Sequence, residues 1–145
     1  MDILILGYFK EARELVDIIE KNIPQILSKM AIIDFNMANK KELEKRKIKW
    51  LYGDLANTES LKHYSDYSPK VVVCTISDIF LKGIKNKYLL NPLKKIFPES
   101  KIILMAENEN YREEFLSSGI FDAVNPHRSA ALSIFESIRK ALEEI

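Results

Sequence analysis

Four apolar residues, Ile3 to Leu6, run without a break into Gly7, and the next apolar positions, Ala12, Leu15, Val16 and Ile19, recur at helical spacing. An uninterrupted apolar run closed by a turn residue reads as a buried strand; the recurrence reads as one face of an amphipathic helix. Together they predict the opening of a βαβ unit. The alternation then continues. A second strand, Ala31-Ile32-Ile33, ends at Asp34-Phe35-Asn36, and a short polar helix from about Asn39 to Arg46 is anchored by Leu43. A third strand, Ile48 to Tyr52, ends at Gly53-Asp54, and Asn57 or Thr58 caps a short helix through Leu61 and Tyr64. The fourth strand, Val71 to Cys74, ends at Thr75. A long helical stretch from about Phe80 to Phe97 contains Pro92, which predicts a kink or break near Leu90. A fifth strand, Ile102 to Met105, ends at Ala106-Glu107. Tyr111 to Leu116 is helical with Gly119 as terminator, Ala123-Val124 forms a short sixth strand, and a last helix runs from Ser129 toward Ile145.

Strands alternating with helices imply a parallel sheet with right-handed crossovers. The expected architecture is α/β, a Rossmann-like doubly wound parallel sheet of about six strands in the order 3-2-1-4-5-6, forming a single domain over residues 1–145. In that order the loops after the first four strands line one edge, which carries Gly7, Asp34, Asp54 and Thr75. The helix that begins near Lys10 points its N-terminus at the same cleft.

Composition narrows the partners. A chain of 145 residues fits one core, and a formal net charge of +1 gives no global electrostatic reason to bind nucleic acid or a membrane surface. The one cysteine, Cys74, excludes an internal disulfide framework and fits a reducing compartment. The apolar opening is too short for a signal peptide and carries Asp2, and no apolar stretch approaches the roughly 20 residues that span a bilayer.

The candidate chemistry lies at the predicted edge. A dinucleotide fingerprint reads G-x-G-x-x-G, and the same frame here reads Gly7-Tyr8-Phe9-Lys10-Glu11-Ala12. Gly7 still permits the tight turn, and Ala12 is small enough for close packing. Phe9 replaces the glycine that lets a pyrophosphate approach the backbone, so it either blocks that approach or packs in the core. Asp34 ends the second strand 27 residues after Gly7. A carboxylate there can accept hydrogen bonds from ribose hydroxyls and repel a 2′-phosphate, or can simply be a solvated strand end. Gly53-Asp54 with Leu55 can flank an adenine ring or form an ordinary turn; Thr75 and Ser77 can bond a phosphate or ribose, or cap the strand. His63 and His127 have no partner in a recognisable catalytic frame and no metal-ligand spacing. The run Lys40, Lys41, Lys45, Arg46, Lys47 and Lys49 is interspersed with Glu42 and Glu44 and reads as a solvated face.

Taken together, the segments Ile3 to Gly7, Ile33-Asp34, Tyr52 to Leu55, Val71 to Asp78, Leu81-Lys82-Gly83, Asn86, Ala106 to Asn108 and Gly119 to Val124 resemble the RCK, or TrkA-N, domain family over essentially the whole chain. The Leu-Lys-Gly, Asn and Ala-Glu-Asn pieces look most like the cytoplasmic regulatory domain of monovalent cation:proton antiporters. The resemblance implies a non-enzymatic regulatory module that binds NAD(H) or an adenine nucleotide in its cleft. It further implies a homodimer that passes ligand state to a membrane-embedded cation transporter or channel, in cis or in trans, at the cytoplasmic face of the membrane. Carried over by position, Gly7, Tyr8, Phe9, Lys10 and Glu11 would hold phosphate, and Asp34, Phe35 and Asn36 the ribose side. Gly53, Asp54 and Leu55 would flank adenine, and Thr75, Ile76 and Ser77 would close the cleft. Glu107 stands where some members place a basic phosphate contact. Glu107 and Phe9 both disfavour a long polyphosphate or dinucleotide, so AMP is expected ahead of ADP, ATP or NAD(H).

Two rivals follow from the same residues. A small NAD-dependent oxidoreductase needs hydride-site residues, and no Tyr-x-x-x-Lys pair is present. A dimerisation scaffold with a non-binding cleft needs only an interaction surface. On the last helix Ala131, Phe135, Ile138, Leu142 and Ile145 form a stripe at spacings of four and three, widened by Ile134 and Ala141. The stripe either packs back on the sheet or, as an uncovered apolar face, pairs two subunits.

Overall fold

Leu4 and Leu6 face one side of a parallel sheet and Ile5 the other, and all three are fully buried. A strand flanked by layers on both sides has no polar positions, which is why the run from Ile3 is unbroken. The computed structural model describes residues 1–77 and 85–144. Its strands are β1 (Ile3–Leu6), β2 (Met30–Asp34), β3 (Lys49–Tyr52), β4 (Val71–Cys74), β5 (Lys101–Met105) and β6 (Asp122–Val124). They form one parallel sheet in the order β3-β2-β1-β4-β5-β6, with Leu6 opposite Ile33 on one side and Cys74 on the other. The doubly wound order expected from the alternation is the order found.

Among the described residues five α-helices accompany the sheet: α1 (Lys10–Asn22), α2 (Lys40–Lys45), α3 (Asn86–Ile96), α4 (Glu109–Ser117) and α5 (Pro126–Glu143). Two 3₁₀ segments, Pro24–Lys29 and Thr58–Tyr67, and a single 3₁₀ turn, Met37–Asn39, complete the connections. On one face α3, α4 and Leu61 pack against Leu4, Leu6, Ile33, Val72 and Leu104. On the other, Ala12, Val16 and Ile19 of α1 and Leu43 of α2 cover Ile5 and Ile32.

The 3₁₀ segment Thr58–Tyr67 and helices α4 and α5 start at short polar side chains that accept from the first free amides. Asn57 accepts from the Glu59 amide, Asn108 from Tyr111, and Asn125 from both His127 and Arg128. With Asn125 as cap, Pro126 occupies the first helical position, where its missing N–H costs nothing. The last helix therefore begins at Pro126, three residues before the start at Ser129 that the sequence pattern predicts. Helix α3 also differs from expectation, because it runs on through Pro92 rather than breaking near Leu90. Leu89, Leu93 and Ile96 are buried on either side of the proline, and their packing offsets the lost hydrogen bond. The start expected near Phe80, the Leu81-Lys82-Gly83 piece and Ile145 lie outside the described residues.

Helix α5 does not follow the doubly wound pattern. From His127 to Glu143 every residue is exposed, including Leu132, Ile134, Phe135, Ile138 and Leu142. The apolar stripe is thus not packed back on its own sheet. The sheet face that such a helix would cover is open: Ile3, Val71, Val73, Ile103, Met105 and Val124, with Leu15 of α1, line an almost wholly apolar groove of about 520 Å³.

Candidate nucleotide cleft

The β1–α1 turn depends on Gly7. Its φ is +82°, in the left-handed region, and its amide donates to the Ile33 carbonyl at 2.7 Å, tying the turn to the end of β2. A Cβ at this position would lie 1.9 Å from Cδ1 of Ile76. Ile76 is buried over the glycine, and its carbonyl accepts from the side-chain amide of Asn86 at 2.9 Å, so the first residue of α3 holds the loop after β4. Gly53 is required for a similar reason: a Cβ there would lie 2.4 Å from Ile33 Cγ2, in the turn where its amide donates to the Asp34 carbonyl.

These turns frame a narrow cleft lined by Gly7, Phe9, Asp34, Phe35, Gly53, Asp54, Leu55, Ala56 and Ile76 over Ile33. Its open volume is about 30 Å³, room for a water or two, and Phe9 and Phe35 are the aromatic residues of its lining. Phe9 is half-buried, leaning on the core while it lines the cleft. Helix α1 starts after Phe9 with no side-chain cap, and among the described residues no side chain bonds its first-turn amides.

A second pocket of about 170 Å³ adjoins the first across Asp34, lined by Tyr8, Phe9, Lys10, Arg13, Phe35, Asn36 and Asn39. Asp34 is 4% exposed, the most deeply buried carboxylate in the described chain, and its Oδ2 accepts from Nδ2 of Asn39 at 2.7 Å. Arg13 donates to Oδ1 of Asn39 at 3.0 Å and to both carboxylate oxygens of Glu42. Tyr8 is buried, donates its hydroxyl to Glu42 at 3.1 Å and supports the Arg13 guanidinium with its ring face. Burial, followed by the Glu42 carboxylate, raises the Tyr8 phenol above its ordinary value of 10.0.

The structure thus brings Gly7, Phe9, Asp34, Phe35, Gly53, Asp54, Leu55 and Ile76 into one cleft, with Tyr8, Lys10 and Asn36 beside it. Some of the expected set lies elsewhere. Glu11 and Thr75 line the apolar groove, because alternate positions along a strand and across a helix face opposite layers. The Thr75 hydroxyl is buried there without a hydrogen-bond partner among the described residues. Glu107 pairs with Nε2 of His127 at 3.2 Å, at the start of α5. Asp54 spends a carboxylate oxygen on the Ala56 amide, and Asn36 caps the turn that follows it. Ser77, half-buried, ends the described part of its loop. Sequence reasoning missed Arg13 and Asn39 as parts of the site. Asn39, five residues after Asp34, was the visible signal, but it reads equally well as a helix start.

Comparison with known families fits this geometry. The TrkA-N domain family matches residues 3–126, and the chain belongs to that family. No curated protein sequence matches the chain significantly. Among solved structures, the TrkA-N domain of the inner membrane protein ybaL from Escherichia coli shares 20% identity at a TM-score of 0.68, covering 93% of this chain and 94% of that one. The Kef C-terminal domain from Shewanella denitrificans, in its AMP-bound form, shares 16% identity at a TM-score of 0.69, covering 98% and 81%. The NAD(P)-binding domain of an exopolyphosphatase-related protein from Archaeoglobus fulgidus shares 16% at 0.66, covering 96% and 98%. At these identities the likeness is one of fold: a TrkA-N, Rossmann-type domain. Among the described residues no helix is long and apolar enough to cross a membrane.

Proposed function

We propose that this domain senses an adenine nucleotide, AMP ahead of ADP, ATP or NAD(H), and regulates a monovalent cation transporter without catalysing a reaction. The observation that carries the reading is Asp34: a buried, braced carboxylate beside a positive-φ glycine turn and the uncapped start of α1. That combination offers an acceptor for ribose hydroxyls and, for a phosphate, first-turn amides that no described side chain caps. Phe9 and Ile76 crowd the turn where a pyrophosphate would lie against the backbone, which supports a mononucleotide. The AMP-bound Kef domain has the same fold, which supports AMP; the NAD(P)-binding neighbour keeps a dinucleotide among the ligands to be assayed. The carboxylates that line the cleft, Asp34 and Asp54, have no histidine or cysteine beside them there, which supports a binding site rather than a catalytic one.

The signal passes through a homodimer. An open apolar groove on the sheet and an uncovered apolar stripe on α5 are complementary, and two chains satisfy both when α5 of each lies on the other. Its root at Asn125 and His127 is bonded to Glu109 and Glu107, just past the carboxyl end of β5, so a shift at that edge changes the angle at which α5 leaves. The transporter is reached at the cytoplasmic face, in cis or in trans. A thermal-shift panel of AMP, ADP, ATP, NAD and NADH tests the reading, since a ligand that binds only the folded state raises its stability. The expected result is the largest rise with AMP; no rise with any nucleotide would leave a dimerisation scaffold with a non-binding cleft.

A further inference from the structure

We propose that Asn39, oriented by Arg13, is the positioning residue that makes the cleft selective for a ribose with a free 2′-hydroxyl. This inference rests on the nucleotide reading and adds to it the part of the ligand that is discriminated and the residues that do so.

Arg13 fixes the geometry. A guanidinium has only donors, and this one is held on several sides: by both carboxylate oxygens of Glu42 at 3.2 and 3.0 Å and by the face of Tyr8, whose ring centroid lies 4.3 Å away. It therefore presents NH2 to Asn39 in a fixed direction, and the oxygen of the Asn39 amide must be the atom that meets it, at 3.0 Å. That removes the usual ambiguity of an asparagine amide. The amide nitrogen is left facing Asp34, and it donates to Oδ2 at 2.7 Å.

Asn39 is 7% exposed and Asp34 4%, so this bond is shielded from water and stronger for it. Two consequences follow. With Oδ2 engaged, the Asp34 carboxylate cannot rotate, and Oδ1, which has no donor among the described residues, stays available where the two pockets meet. Meanwhile Nδ2 of Asn39 carries a second N–H that no described residue accepts. A hydroxyl is the group that satisfies both, donating to the carboxylate while accepting from the amide. A 2′-deoxy carbon does neither and would leave buried polar groups unpaired, and a site built to bond a hydroxyl rejects the analogue that lacks it. A 2′-phosphate would set a third anion beside Asp34 and Glu42. The 2′-position is the one that an acid at the end of the second strand reads in this fold.

The test compares AMP with 2′-deoxy-AMP by calorimetry on the full chain, in wild type, Asn39→Ala and Arg13→Lys. Wild type is expected to bind AMP at least roughly tenfold more tightly than 2′-deoxy-AMP, the loss that accompanies an unpaired buried group. Asn39→Ala should bring the two affinities within about threefold of each other by weakening AMP alone, as an unaided carboxylate discriminates less. Arg13→Lys keeps the positive charge beside Glu42 but cannot fork to Asn39, so the ratio should fall there too; this variant carries the test if Asn39→Ala does not fold. A ratio unchanged from wild type, or equal losses for both nucleotides, overturns the role of Asn39 and leaves the nucleotide reading standing. No AMP binding by wild type overturns both.

Discussion

Replacing Gly7 by alanine should damage the fold through two separable terms. The first is conformational: with φ at +82°, a Cβ is strained against its own backbone, at a cost of about 1–2 kcal/mol. The second is steric. The new methyl would lie 1.9 Å from Ile76 Cδ1 and 2.8 Å from its Cγ1, and Ile76 is 4% exposed with its carbonyl fixed by Asn86, so relief is limited. Overpacking of this kind costs about 1–3 kcal/mol. Gly7→Ala should therefore lose about 2–5 kcal/mol of stability in urea unfolding followed by circular dichroism. Ile76→Ala alone should lose about 2–5 kcal/mol from its cavity, but it also removes the clash. The double variant should then be more stable than the sum of the singles predicts, by about 0.5–3 kcal/mol of coupling. Strict additivity, or a Gly7→Ala protein within about 0.5 kcal/mol of wild type, would refute the claim that Ile76 sits on the turn.

Phe9→Gly should raise affinity for NAD relative to AMP in the calorimeter by reopening the backbone to a pyrophosphate, and should lower stability because Phe9 leans on the core. A stability loss with no change in preference would reduce Phe9 to a packing residue. Phe135→Glu should leave the chain folded, since α5 buries nothing in its own subunit, and should halve the mass of a dimer measured by light scattering at micromolar concentration. A wild type that is already monomeric, or a Phe135→Glu variant that unfolds, would contradict the pairing through α5.

The sheet order was legible because it follows from alternation and handedness, which need only the identity of each element. Its edges were less so. Lys101 and Asp122 join strands β5 and β6 by their backbones while their side chains stay polar, so an apolar pattern stops short of them. Pro92 was read by a local rule that the burial of Leu89 and Leu93 overrides. Gly7, Asp34 and Gly53 were legible as neighbours in one cleft because each stands at the end of a strand at the same edge. Arg13 was not, since its contact with Asn39 spans 26 residues and nothing on α1 marks which of its charged residues points toward β2. The stripe on α5 was visible as a stripe, but amphipathicity says only that a face needs covering. Thr75 follows β4 at that edge, but it lines the groove rather than the cleft, because side chains alternate along an extended chain.

Nucleotide sensing through Asp34 is decided by titrating AMP into wild type and into Asp34→Ala in an isothermal calorimeter. Saturable binding by the wild type and a loss of roughly tenfold or more in the variant are expected, the cost of about 1.5–3 kcal/mol for hydrogen bonds to a charged acceptor. Equal affinity in the two proteins would remove Asp34 from the site, and a wild type that takes up no AMP would contradict the nucleotide-sensing account.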